Sequence, residues 1–336
     1  MTFPDDLDAV LESSDFSGAV LVSQAGRPLA ERHRGFSHRA LEITNRIDTR
    51  FAVASVTKGL TGLTVASLIE SGELTFDTTL VSLLGDRVSS FVDGDVTIRH
   101  LLGHTSGVGD YIDEDEAGDI DDPPFEVSPG DLDTPSASLP LLAKHPHRDP
   151  PGEVFRYNNS GFVLLSIAVE AATGESYFDL VRTRVTDPAA MIDTDFPRSD
   201  ELPARAALCY LASGRTNVFK VPVRGAGDGG AYSTVADLER LWTALYDGRI
   251  VSPAMVEDLT SVHRTSTDDG YGYGLGFWMW LSGETVQLEG YDAGVSCRTV
   301  HDRPSGVTYV AISNTAAGAW PVAKYLDERI RVGWTD

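Results

Sequence analysis

The stretch whose reading decides the fold is Phe51-Ala-Val-Ala-Ser55-Val-Thr-Lys58-Gly-Leu60. A short apolar run passes here into a helical pattern, with a serine and a lysine three residues apart. Positions i and i+3 share one face of a helix, which sets the Lys58 ammonium beside the Ser55 hydroxyl. A serine hydroxyl is a poor nucleophile until a neighbour takes its proton. A buried lysine does that, or tunes another base that does. In a first helical turn Ser55 also has free backbone N–H groups and the positive dipole end nearby, which favour an oxyanion. Alone, the same residues also describe a helix start with a capping serine and a solvated lysine. A second element changes the balance: Arg156-Tyr157-Asn158-Asn159-Ser160-Gly161-Phe162. Tyr157 and Asn159, two apart, face one side of an extended segment. The chain contains one Ser-x-x-Lys and one Tyr-x-Asn.

The chain of 336 residues is 42% hydrophobic and 9% aromatic, as expected of a globular protein of one or two domains. Its net charge of −23 argues against nucleic acid, whose phosphates need basic patches, and against anionic membrane surfaces. Cys209 and Cys297 are far apart and are expected to be buried free thiols. The start, Met1-Thr-Phe-Pro-Asp-Asp-Leu-Asp8, has neither the basic nor the apolar region of a secretory signal. No apolar run approaches the ~20 residues that span a membrane. A cytoplasmic location is the expectation.

Along the chain, residues 5–13 read as an amphipathic helix, and 17–23 and 29–35 as strands of a hairpin around a Gly/Pro turn. A helix is expected over 56–72, with Leu60, Leu63, Thr64 and Leu68 at helical spacing. Gly109 to Gly130 is rich in Asp and Glu and reads as a surface loop or lid kept extended by charge repulsion. Further helices are expected over 160–173 and over 234–247, the latter capped by Ser233 or Thr234. Strands over 275–281, 285–289, 295–300 and 306–313 precede a helix over 322–332, between Pro321 and Gly333. This order predicts an α+β (α/β sandwich-type) fold. An antiparallel sheet comes from both chain ends and is flanked by helices, with a mainly helical region inserted. The boundaries are 1–50 and 265–336 for the sheet subdomain and 51–264 for the helical one, with the acidic loop at 109–133.

Several segments, in this order, resemble the serine β-lactamase/penicillin-binding-protein superfamily, in its class C β-lactamase-like branch. They are Ser17-Gly-Ala-Val-Leu-Val22, Thr49-Arg-Phe-Ala-Val-Ala-Ser55-Val-Thr-Lys58, Leu101-Leu-Gly-His-Thr-Ser-Gly107, Pro151-Gly-Glu-Val-Phe-Arg-Tyr157-Asn-Asn159, Gly229-Gly-Ala-Tyr-Ser-Thr-Val-Ala-Asp-Leu238 and Tyr271-Gly-Tyr-Gly-Leu-Gly276. The branch includes esterases, D-amino-acid peptidases, DD-carboxypeptidases and acyltransferases. The resemblance covers almost the whole chain and implies a β-lactamase/transpeptidase-like fold. It implies that Ser55 is the acylated nucleophile, Lys58 the partner of its proton network and Tyr157 the base. Asn159 is implied as the amide that orients the lysine and substrate. His104 and Ser106 resemble parts of a structural motif near the nucleophile helix. No metal or organic cofactor is implied. His145-Pro-His147 lacks a third ligand, and the acidic run at 113–122 lacks the glycine spacing of a calcium loop.

The chain departs from the family at its third motif, usually Lys-Thr-Gly or His-x-Gly. The matching segment is Leu288-Glu-Gly-Tyr-Asp-Ala-Gly-Val-Ser296. Leu288 stands where a cation or imidazole is usual, which argues against substrates held by a carboxylate. Glu289 is read as pointing the same way, toward neutral or cationic acyl groups. The Tyr291 N–H, after Gly290, is implied as a second oxyanion donor beside that of Ser55. The expected function is a serine hydrolase acting through an acyl-enzyme on a small-molecule ester or amide, esterase first. The alternatives are a D-aminopeptidase or DD-peptidase-type amidase, a β-lactamase, and a non-catalytic relative that binds a ligand in the same cleft.

Overall fold

The computed structural model describes residues 3–112, 118–121, 127–265 and 270–334. The two ends of the chain meet in one eight-stranded antiparallel sheet. Its strands are β1 (Gly18–Gln24), β2 (Arg27–Arg34), β3 (Arg264–Thr265), β4 (Tyr271–Tyr273), β5 (Trp278–Trp280), β6 (Thr285–Asp292), β7 (Val295–Asp302) and β8 (Val307–Ser313). The order across the sheet is β2-β1-β8-β7-β6-β5-β4-β3. The seam between the chain ends is the β1–β8 ladder, from Gly18 opposite Ser313 to Gln24 opposite Val307.

The sheet is covered on both faces. Ala19, Leu21, Val310 and Ile312 join the larger core on one side. Val20, Val22, Tyr309 and Ala311 pack on the other against α1 (Phe3–Ser13) and α5 (Ala319–Arg331). This is why β8 reads Val-Thr-Tyr-Val-Ala-Ile-Ser, with every residue buried, instead of alternating. The larger core holds α2 (Thr57–Glu70), α3 (Asn159–Thr173) and α4 (Val235–Tyr246). Most of α2 is buried, including Thr57, Lys58, Thr61 and Thr64, as in a core helix without a polar stripe. Helix α3 is capped by Asn158, whose Oδ1 accepts the Gly161 N–H at 2.6 Å, and it ends at a left-handed Gly174. Thr234, not Ser233, caps α4 by accepting the Asp237 N–H at 3.1 Å.

Three expectations need correction. The strand expected over 275–281 is only β5 (Trp278–Trp280), because Gly276 at φ 96° turns the chain and Gly274 N–H bonds Phe277 O at 2.8 Å, and a separate short strand, β4, precedes that turn. Helix α5 starts at Ala319, so Pro321 lies in its first turn, where a missing N–H costs nothing. The acidic loop does not begin as a solvated surface: Gly109 and Asp110 are buried. Its residues 113–117 and 122–126 lie outside the described residues. Cys209 and Cys297 are buried and form no disulfide, and burial pushes the Cys209 thiol up to about 12. Among the described residues no helix is long and apolar enough to cross a membrane.

Candidate active site

Ser55 sits in a 3-10 turn, Ala54–Val56, between the short strand Phe51–Ala52 and α2. Ala54 has φ 46°, a left-handed conformation that costs an L-residue energy and persists only where its surroundings enforce it. Thr57 Oγ1 donates to Ala54 O at 2.7 Å, and Val53 N–H donates to Ala231 O at 3.0 Å. Strand β6 closes the other side. A Cβ at Gly290 would meet Val53 O at 2.1 Å, so only glycine lets β6 lie against this turn.

Lys58 is buried, and its Nζ has three acceptors. It donates to Ser55 Oγ at 2.9 Å, to Asn159 Oδ1 at 2.8 Å and to Asp228 O at 2.9 Å. Three oxygens at hydrogen-bond distance match the three donors that an ammonium carries. The Tyr157 ring centroid is 4.8 Å from that nitrogen. The ring packs between His104, at 4.5 Å, and Trp278, stacked at 6.0 Å and 16°. The structure thus brings Ser55, Lys58, Tyr157 and Asn159 together from two segments distant in sequence.

His104 buttresses this assembly. Its Nδ1 accepts the Asn158 N–H at 3.1 Å, which leaves the Nε2 hydrogen for the Tyr273 hydroxyl at 3.0 Å. His104 O accepts the Arg156 N–H at 2.9 Å, so both neighbours of Tyr157 are pinned by one residue. Burial, helped by Lys58, holds its imidazole well below the usual range and hence neutral. Ser106 is buried in the same segment, its Oγ accepting the Val108 N–H at 3.4 Å.

The third-motif segment lies where expected along the chain, but two of its side chains point elsewhere. Leu288 is 2% exposed and fills the space left by Gly59, where a Cβ would come within 2.5 Å of it. It packs under α2 instead of lining the cleft. Glu289 is on the opposite face of β6, ion-paired with Arg298, which also pairs with Asp327 of α5 at 2.6 Å. The reading of Glu289 as a group selecting cationic substrates is therefore corrected. The Tyr291 ring is half exposed and meets Trp320 edge-on at 5.7 Å.

A cleft beside the Ser55 turn is walled by Ala54, Tyr111, Asp228, Gly229, Tyr232 and Asp292. Two of these were missed by sequence reasoning. Tyr111 donates its hydroxyl to Asp228 Oδ2 at 2.6 Å. Burial, with that carboxylate added, pushes the Tyr111 phenol well above its ordinary value. Burial also raises the Asp228 carboxyl, against the pull of Lys58 and Tyr111. The available signals were position alone: Asp228 immediately precedes the Gly229-Gly-Ala-Tyr segment, and Tyr111 follows Leu101–Gly107 closely. Among the described residues no group of His, Cys, Asp and Glu is arranged to hold a metal ion.

Comparison with known proteins places this geometry in context. The family described as Beta-lactamase matches residues 6–331. The chain is similar to penicillin-binding protein 4* of Bacillus subtilis (strain 168), 28% identical over 284 residues, which cover 78% of this chain and 60% of that protein. It is also similar to esterase EstB of Burkholderia gladioli, 35% identical over 213 residues, covering 60% of this chain and 52% of that one. The chain thus spans between about half and three fifths of the length of these curated relatives. Among solved structures, a penicillin-binding protein from Bacillus halodurans superposes with a TM-score of 0.90 at 34% identity, over 96% of this chain and 99% of that one. A D-amino acid amidase from Ochrobactrum anthropi SV3 shares the fold, with a TM-score of 0.80 at 20% identity, over 98% of this chain and 100% of that one.

Proposed function

The chain belongs to the β-lactamase family, that of serine β-lactamases and penicillin-binding proteins, and on that premise we propose that it is a serine hydrolase working through an acyl-enzyme, with esters as its favoured substrates. The observation that carries this reading is the Lys58 ammonium bonded to Ser55 Oγ while Asn159 and Asp228 take its other two hydrogens. With Lys58 acting as an ammonium, the role of base falls to Tyr157, beside that cation. Ser55 Oγ attacks the carbonyl carbon as Tyr157, acting as its phenolate, takes the proton and becomes the neutral phenol. The tetrahedral intermediate collapses, the bond to the leaving oxygen breaks, and Tyr157 returns the proton to the departing alcohol. Water then attacks the acyl-enzyme by the same route in reverse, freeing the acid and Ser55. The Ser55 and Tyr291 N–H groups serve as oxyanion donors, and the positive φ of Ala54 is the cost of aiming the first of them.

A second reading, hydrolysis of amino-acid amides or esters, draws support from the cleft wall. Among the described residues the wall holds two carboxylates, Asp228 and Asp292, and no Lys, Arg or His. The test is a panel of short-chain p-nitrophenyl esters, a D-alanyl p-nitroanilide and a chromogenic cephalosporin, with Ser55 labelling by a fluorophosphonate read by mass. Ser55-dependent ester turnover supports the first reading, and preference for the anilide the second. A folded protein with neither adduct nor turnover would leave a non-catalytic binding relative.

A further inference from the structure

Asp110 touches neither Ser55 nor Lys58, yet its carboxylate ties together the groups that hold them. It is 3% exposed. Oδ2 accepts the backbone N–H of Asn159 at 2.8 Å and, at 3.5 Å, the Asn159 side-chain amide. Oδ1 accepts the Ser160 N–H at 3.0 Å and the Ser160 hydroxyl at 3.2 Å. These backbone groups belong to the first turn of α3, where N–H groups have no partner inside the helix and the dipole favours an anion. The contact is reciprocal. Tyr111 N–H donates to Ser160 Oγ at 3.0 Å, and Asn158 Nδ2 donates to Val108 O at 2.7 Å. Segment 108–112 is thereby clamped along the start of α3.

Two consequences reach Ser55. With its Nδ2 directed at Asp110 and at Ile112 O (3.0 Å), the Asn159 amide leaves Oδ1 facing Lys58. The adjacent Tyr111 delivers its hydroxyl to Asp228, whose backbone oxygen takes another Lys58 hydrogen. We propose that Asp110 is a positioning residue, whose carboxylate clamps segment 108–112 to α3 and so fixes the two acceptors, Asn159 Oδ1 and Asp228 O, that hold Lys58 against Ser55. The proposal rests on the acyl-transfer reading above for its effect on rate, although the clamp itself does not.

The clamp carries a built-in pH dependence. Among the described residues, the groups that face Asp110 are Lys58 from α2, Tyr111 and the Ile112 backbone from its own segment, Asp228 beyond Tyr111, and the uncharged Asn159 and Ser160 of α3. Burial pushes the Asp110 carboxyl up to about 6, against the lowering by the α3 N–H groups and Lys58. Once protonated, one of its oxygens becomes a donor facing other donors, and the clamp loosens. His104 stays neutral through this range. Asp228, also raised by burial, titrates in the same direction, so a variant is needed to isolate Asp110.

The experiment measures kcat for ester hydrolysis against pH in the wild type and in Asp110→Asn, together with hydrogen exchange of the Asn159 and Ser160 amides. In the wild type, kcat is expected to fall as pH drops through about 6, and both amides to lose protection over the same range. In Asp110→Asn, kcat at neutral pH is expected to drop roughly 10²-fold with KM within about threefold, as for displaced rather than deleted catalytic groups. Its acid limb should move or vanish, and both amides should exchange faster. Unchanged kcat and acid limb in Asp110→Asn, or equal amide protection in the two proteins, would overturn the proposal. If the variant fails to fold, the wild type still decides: amide protection that does not change with pH overturns the clamp. Failure of the acyl-transfer reading is separately visible as a wild type whose Ser55 takes no fluorophosphonate, because exchange reports the clamp without catalysis.

Discussion

Tyr111 and Tyr157 both belong to the surroundings of Lys58, but charges of opposite sign lie nearest to them. Tyr111 donates a hydrogen bond to the Asp228 carboxylate at 2.6 Å and is held, by burial and that anion, as a neutral donor. Tyr157 is partly buried, with a cation 4.8 Å from its ring centre and aromatic walls on both sides. An anion beside a phenol opposes its ionisation, whereas a cation favours the charge that develops when it gives up a proton. The same side chain thus serves as a fixed strut in one place and, in the proposed reaction, as the proton carrier in the other. The sign of the nearest charge decides which.

The largest expected effect tests whether either tyrosine matters to chemistry. Ser55→Ala should lower ester turnover by about 10⁴-fold or more with an unchanged unfolding midpoint. Turnover near wild type would remove both tyrosines from any mechanism. The comparison itself is tested by paired variants. Tyr157→Phe should cost kcat about 10³-fold, within the range of general acid–base catalysis. Tyr111→Phe should cost kcat about tenfold or less. It should lower stability by ~1–3 kcal/mol, because Asp228 loses its donor while still buried. Equal rate losses would break the distinction.

A smaller effect comes from the buttress. His104 is held neutral below its ordinary range, so the native state binds its proton less readily than the unfolded chain. The stability it contributes is present above the unfolded value near 6.5 and is lost as pH falls below it. Asp110 has the opposite sign: raised to about 6 in the native state, it gains stability as pH falls through that value. Urea midpoints measured against pH in His104→Gln should therefore lose part of the acid-side destabilisation seen in the wild type. A parallel pair of curves would count against a neutral His104. The smallest effect is expected from Glu289→Gln, on the far face of β6, with turnover within about twofold. A changed preference between neutral and cationic acyl groups would put Glu289 back in the cleft.

Ser55, Lys58, Tyr157 and Asn159 were legible because close spacing in sequence sets close spacing in space within a turn or an extended segment. The strands and long helices were legible from apolar runs and caps, with ends displaced by a few residues where Gly276 or Pro321 decided otherwise. Leu288 and Glu289 were misread for a definable reason. A period of two says that Leu288 and Gly290 share a face, but not which neighbour that face meets. Gly59 and the Val53 carbonyl supply the answer. Asp110 and Tyr111 were hidden because a run of acidic residues ordinarily reads as solvated, whereas a carboxylate at a helix start is satisfied by backbone donors. The Asp228 carbonyl left no trace at all, since a backbone acceptor has no side-chain signature.

The amino-acid sequence by itself determined the local pieces: a serine and lysine on one helical face, a tyrosine and asparagine on one edge, and apolar runs that must pair into a sheet. Tertiary structure alone decided their charge states and aim. Lys58 meets acceptors 101 and 170 residues away in the chain. Protonation, orientation and burial depend on the desolvation and partners that such distant contacts impose, and spacing along a chain cannot carry that information beyond a turn or two.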